Sequence, residues 1–204
     1  MGLFYPTAAA LVLLVLLGAF VGRQNRDLLR ARAYREFAVR LMPVLSTGVF
    51  IVGLPFIADL ARVEDTLSVV LVYLAGAAIL TSLMARGVAP DERKAAAAFR
   101  REDYEEAARI YGELVKYRPL PRYYSALGTV LDLDGEHADG LEAINQAIEL
   151  DPKLGVAYYN RAACLASLGR KEDAREDLQM VFKVDSARRA RRAAEEALDA
   201  LEGR

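Results

Sequence analysis

The C-terminal half of the chain repeats itself at an interval of 34 residues. Tyr124, Leu127, Gly128, Leu131, Gly135, Gly140, Ala147 and Asp151 return as Tyr158, Arg161, Ala162, Leu165, Gly169, Ala174, Val181 and Asp185. A fixed period of this length, with small residues where two helices must touch, implies stacked helix-turn-helix units. No such unit covers its own apolar face, so the units stack and leave a curved groove. Gly128 and Ala162 sit where helices cross and only small side chains permit the approach. Gly135 and Gly169 suit the left-handed residue that ends a helix, and Pro152 stops the second helix of its unit.

A less regular unit precedes these two. Tyr104, Ala107, Tyr111, Leu114 and Pro119 fit the second helix of a unit starting near Val88, at a spacing of 33. Its first helix, Asp91 to Arg101, lacks the aromatic and the Leu-Gly pair of the middle unit. Beyond the last unit, Ala190, Ala193, Ala194, Ala197, Leu198 and Leu201 recur every three or four residues, which predicts an amphipathic capping helix over 187–202. The units fall at about 88–120, 121–154 and 155–186.

Ahead of the repeats lie three uncharged apolar runs, Leu3–Val21, Leu41–Ala58 and Leu67–Ala85. Each reaches the roughly 17–20 residues that a helix needs to cross a bilayer, so residues 1–87 are expected to form a membrane domain. Pro43 is placed in the first turn of the second span, where a missing N–H costs little. Arg23, Arg26, Arg30, Arg32, Arg35 and Arg40 crowd the first connector, whereas the second carries Asp59, Arg62, Glu64 and Asp65. Lys and Arg accumulate on cytoplasmic loops, so the N-terminus is expected outside and the repeats inside. Anionic lipid headgroups are a possible partner of the segment from Arg23 to Arg40. No positive side chain precedes the first run, which favours a retained anchor over a cleaved leader. Ala75, Gly76, Ala77 and Ala78 in the third span would let a helix approach closely. Packing against this chain's own spans is the default expectation for that cluster, and docking of Ala75, Gly76 and Ala78 onto another membrane protein the alternative.

Little chemistry is on offer. The chain has one His and one Cys; His137 is expected as a turn residue and Cys164 as a small buried side chain. No phosphate loop or spaced ligand set occurs, so no enzyme, cofactor or metal site is expected. Eight basic and five acidic residues precede residue 90, a balance of +3, and the overall charge is −1, so the repeats carry −4. That argues against nucleic acid as a partner.

The middle unit, with Tyr124, Leu127-Gly128, Leu131, Gly135, Gly140, Ile144, Ala147 and Asp151-Pro152, resembles the tetratricopeptide repeat family, and so does the next unit. The resemblance covers residues 88–202 and implies an all-α protein: three transmembrane helices, then a solenoid of about three units with a cap. It also implies a concave face formed by the first helix of each unit. Carried over by position, that face comprises Glu92, Ala96, Phe99 and Arg100, then Arg122, Ser125, Thr129, Asp132 and Leu133, then Val156, Tyr159, Asn160, Ala163 and Ser167. Phe99, Arg100, Arg122 and Tyr159 are the expected anchors, since aromatic and Arg side chains dominate interface energetics; the alternative is that they pack within the solenoid. One subclass of the family grips the terminal carboxylate of chaperones. The corresponding positions here are Glu92, Ala96, Ala126, Val156 and Asn160, so that clamp is expected to be absent. The architecture looks like membrane-anchored bacterial tetratricopeptide proteins that assist the biogenesis of membrane complexes. The function expected is a tethered adaptor or assembly factor holding a protein at the cytoplasmic face. The alternative is an accessory subunit held in a larger complex through its spans.

Overall fold

The computed structural model describes the backbone of residues 4–60, 66–87 and 90–203. All regular structure among them is helical, and the chain divides into two compact units, Met1–Pro90 and Asp91–Arg204. The expected acidic connector at 62–65 and the unit boundary at 88–89 lie outside the described residues.

In the first unit the apolar runs form α1 (Phe4–Gln24), α3 (Tyr34–Leu60) and α4 (Thr66–Gly87), with a short α2 (Arg26–Arg30) between the first two. The Arg-rich connector between α1 and α3 contains α2. Most of it is helix, Leu28 is fully buried, and Asn25 and Asp27 are buried beside it. α3 starts seven residues before its apolar run because Tyr34 to Arg40 are adequate helix formers, which hydropathy alone does not register. Pro43 consequently lies inside α3, not in its first turn. The Ser46 and Thr47 hydroxyls both donate to the Pro43 carbonyl at 2.8 Å.

One stretch, Tyr34–Leu54, is long and apolar enough to cross a membrane, with mean hydropathy 1.9 and 6% of it buried. In α1 and α4 the apolar stretches among the described residues, Leu14–Gln24 and Leu67–Ser82, are shorter. Of the three expected spans, one thus meets the length a bilayer requires among the described residues.

α3 packs against both α1 and α4. A side chain at Gly48 would collide with Leu14, and one at Gly53 would sit 2.5 Å from the Tyr73 hydroxyl. The space at Gly53 lets Tyr73 donate to the Phe50 carbonyl at 2.9 Å. The small cluster on α4 behaves otherwise. Ala77 is buried, but Ala75, Gly76 and Ala78 are exposed, and a Cβ at Gly76 would meet nothing within 4 Å. Within this cluster Ala77 alone is buried, and the close approaches between helices are made at Gly48 and Gly53.

The second unit is a solenoid of helix pairs: α5 (Pro90–Arg100) and α6 (Tyr104–Tyr117), α7 (Pro121–Leu133) and α8 (His137–Leu150), α9 (Gly155–Ser167) and α10 (Lys171–Val184), closed by α11 (Arg188–Glu202). The small positions Ala95, Gly128 and Ala162 are buried, as are Ala107, Gly140 and Ala174 on the partner helices. The apolar positions Tyr111, Ile144 and Leu178 are buried with them. Three turns repeat one hydrogen-bond pattern. Asp103 N–H bonds to Ala98 O at 3.1 Å, Glu136 N–H to Leu131 O at 2.8 Å, and Arg170 N–H to Leu165 O at 2.8 Å. This is the six-to-one closure that ends a helix through a left-handed residue.

That residue is Gly135 (φ 91°) and Gly169 (φ 76°) in two turns, but Glu102 (φ 61°) in the first. A left-handed conformation disfavours a side chain with a Cβ. Glu102→Gly is therefore expected to stabilise the chain by about 0.5–1 kcal/mol, seen as a raised helix melting temperature by circular dichroism. An unchanged or lower value would mean that the first turn carries no strain.

Candidate partner-binding surface

The first helices of the units form one layer, α7 packing against α9 and α9 against α11. The expected concave residues lie on this layer, and several of the polar ones are already hydrogen-bonded. Glu92 accepts from the Tyr123 hydroxyl at 3.0 Å and lies 4.0 Å from the Arg122 guanidinium. Asn160 Nδ2 donates to Ser125 Oγ at 3.0 Å, joining the middle and last units. Thr129 Oγ1 donates back to the Ser125 carbonyl within its own helix at 2.9 Å. Among the four expected anchors, Phe99 rests against the Tyr104 ring at 6.0 Å, Arg122 faces Glu92, and Arg100 is exposed. Tyr159 packs on the core of the last unit.

Beside Tyr159 a hollow of about 250 Å³ opens between α9, α10 and α11, lined by Ala162, Ala163, Ala166, Leu178, Ala197, Ala200 and Leu201. It exists because α9 and α11 present alanines where larger side chains would close the gap. The capping helix was legible from its period, but its share in an apolar hollow required the packing. Small-molecule sites usually run to roughly 300–1,000 Å³, so this one suits a single apolar side chain.

Two residue pairs lie outside the expected site. His137 is the first residue of α8, not a turn residue, and its Nδ1 sits 2.7 Å from Asp132 Oδ1. Asp132 is thereby drawn towards the turn and away from a purely groove-lining role. Nearby, Cys164 is fully buried and its Sγ lies 3.3 Å from the His137 carbonyl. Burial first, and then the Asp132 carboxylate, push this thiol up from its ordinary 9.0 to about 12. A protonated, buried thiol is neither a nucleophile nor a metal ligand. The folded chain is thus expected to resist thiol reagents at pH 8 and to react fully once unfolded. Because the folded state holds the proton more tightly, the thiol's contribution to stability is full below about pH 9 and lost between about 9 and 12.

The second pair is Arg161 and Asp177. Arg161 Nε and Nη2 donate to the two Asp177 oxygens at 2.7 and 2.6 Å, and Nη1 donates to Asn145 Oδ1 at 2.8 Å. The guanidinium also lies 5.6 Å from the Tyr158 ring centre. The Asp177 hydrogen bonds raise the pKa of Arg161, with burial opposing them. The sequence carried a signal for this pair: in the 34-residue register Arg161 replaces Leu127 and Asp177 replaces Ala143. Among the described residues no group of three or more His, Cys, Asp or Glu side chains is placed to hold a metal ion.

A layer of first helices backed by a layer of second helices defines a helical-repeat solenoid. Residues 143–176 match the tetratricopeptide repeat family, and the helix pairs of the second unit are similar to its repeats. The chain is 33% identical over 85 residues to small glutamine-rich tetratricopeptide repeat-containing protein 2 of Mycosarcoma maydis, over 41% of this chain and 24% of that one. It therefore spans about a quarter of that relative's length. Two solved structures share the fold, each over 55% of this chain. One is the first repeat domain of Spaghetti (RPAP3) bound to an HSP90 peptide, with TM-score 0.50, 20% identity and 88% of that chain covered. The other is the type III secretion translocator chaperone SycD of Yersinia enterocolitica, with TM-score 0.52, 16% identity and 89% covered.

Proposed function

We propose that this chain is a membrane-tethered adaptor whose repeat domain holds a protein partner at the cytoplasmic face of a bacterial inner membrane, its N-terminus lying outside. The observation that carries the reading is the apolar hollow beside Tyr159, on the layer where a repeat domain of this class engages its ligand. The polar residues around that layer are paired in advance, so binding need not order them. The acidic Glu92 at the head of the groove disfavours a partner that presents a terminal carboxylate. The tether is α3 together with α1 and α4, all three crossing the bilayer. Support comes from the exposure of Val12, Val15, Leu16, Val49, Phe56, Leu71, Val72 and Ile79, which lipid would cover and water would not favour. Confining the groove to a surface layer raises its effective concentration for membrane-associated clients.

The test is a pull-down of the tagged full chain in mild detergent, comparing the wild type with Ala163→Arg, which fills the hollow. The adaptor reading expects Ala163→Arg to lose the partner while remaining in the membrane fraction. Retention of every partner sinks it. A second reading, an accessory subunit held through its spans, is favoured by the outward-facing Ala75, Gly76 and Ala78. It expects Gly76→Leu, at a position where an added Cβ meets nothing within 4 Å, to be the variant that loses the complex.

A further inference from the structure

Helix α11 carries its charges the wrong way round. Arg188, Arg189, Arg191 and Arg192 occupy its first turns, and Glu195, Glu196, Asp199 and Glu202 follow towards its end. A helix N-terminus bears partial positive charge and its C-terminus partial negative charge, so both groups oppose the helix dipole. The buried face, with Ala194 at its centre, needs only the alanines and leucines and does not dictate this order.

The arginines are also only partly compensated. Arg192 pairs with Glu196 at 2.8 Å, and Arg191 lies over the Phe182 ring at 5.6 Å. Arg188 and Arg189 are exposed, with no carboxylate partner among the described residues. Exposed Lys183 at the end of α10 adds to the same corner. Asp185 is the only carboxylate between residues 183 and 192, and it accepts the Ala187 N–H at 2.8 Å. A domain of overall negative charge therefore presents one strongly cationic corner.

We propose that this corner, Lys183 with Arg188, Arg189, Arg191 and Arg192, is a docking surface for the anionic headgroups of the bilayer in which the chain is tethered. The inference rests on the tethering reading. α5 begins three residues after α4 ends, and a unit of this size has a radius of gyration of roughly 13 Å. The corner is thus held within some tens of ångströms of the membrane surface. That distance allows the corner to reach the surface, and within a Debye length of ~8–10 Å of it an extended anionic plane attracts all the arginines together. Contact would fix which way the solenoid leans and so which clients reach its groove.

The test uses the full chain with a fluorophore on Ser186→Cys, the buried Cys164 being unreactive. Energy transfer to a headgroup acceptor is measured in phosphatidylcholine vesicles with and without phosphatidylglycerol. Transfer is expected to rise with phosphatidylglycerol and to fall at high salt. In Arg188→Gln/Arg189→Gln the balance is expected to shift on the order of tenfold towards the free corner. The melting temperature of this variant should hold or rise, since two charges opposed to the dipole are gone. A signal indifferent to phosphatidylglycerol, or unchanged in the variant, overturns the proposal. So does Gln-sensitive binding of an RNA oligomer with no lipid response. Flotation with neutral vesicles separates the two readings. A chain that floats only on anionic vesicles, and not after the Gln substitutions, keeps the corner and removes the tether.

Discussion

Arg161→Ala is expected to cost the repeat domain about 3 kcal/mol, the lower end for breaking a buried ion pair, because Arg161 keeps 26% of its side-chain exposure. The loss comes less from the attraction removed than from the Asp177 carboxylate left behind, whose side chain is only 6% exposed. The middle unit shows what the site looks like without charge: Leu127 and Ala143 hold the equivalent positions. Arg161→Leu/Asp177→Ala, which copies that pair, is therefore expected to recover most of the stability, and a double-mutant cycle should return a large coupling. Thermal unfolding of the four proteins measures it. Additive single losses would mean that the pair is not coupled and that the 2.6 Å contact contributes nothing of its own.

Gly128→Val is expected to be as damaging or worse. Even a Cβ at this position would meet the Ile144 side chain and lie 2.5 Å from the Gly140 carbonyl oxygen. The reciprocal contact, from Gly140 to the Gly128 carbonyl, would be 2.8 Å. Both obstacles are backbone, which cannot rotate away. Overpacking of this kind costs roughly 3 kcal/mol or more, enough to separate α7 from α8. Gly112→Ala in α6 is the control: nothing lies within 4 Å of its added carbon, so helix propensity should make it stabilising by about 0.5–1 kcal/mol. The two variants should move the melting temperature in opposite directions. If Gly128→Val melted like the wild type, the close crossing of the two helices would be wrong.

The repeats were legible because their constraints are local and recur. Gly135 and Gly169 mark turns whose geometry only a left-handed residue satisfies, and Gly128 with Gly140 marks a crossing. The same reasoning stops where one unit departs from the pattern in a compensated way. Arg161 replaces Leu127 in the register, and its compensation, Asp177, lies sixteen residues on. Glu102 hid the first turn because a charged residue stands where the other turns have glycine. In the first unit, hydropathy marked apolar runs but not helix ends, since Tyr34 to Arg40 is polar and still helical; that error moved Pro43 into the helix interior. The cluster at Ala75, Gly76 and Ala78 was visible, but not its direction, because small residues permit close packing on any side and select none. On the candidate surface, the residues of the concave layer could be enumerated by position. Their mutual pairing, Glu92 with Tyr123 and Asn160 with Ser125, joins residues 31 and 35 apart and needs the stacked geometry to appear.

The capping helix has one more consequence. A repeat array is open at its ends, and a bare edge would accept the first helix of another copy, then another, in a heterologous contact that does not close. Here α11 lies where the next first helix would stack, against α9 and α10, with Ala194 wholly buried and Ala190, Ala197, Leu198 and Leu201 sealing the last core. The outward side of α11 is arginine and glutamate, which offers no apolar edge to continue the array. Head-to-tail stacking of another copy on α9 and α10 is therefore blocked by α11.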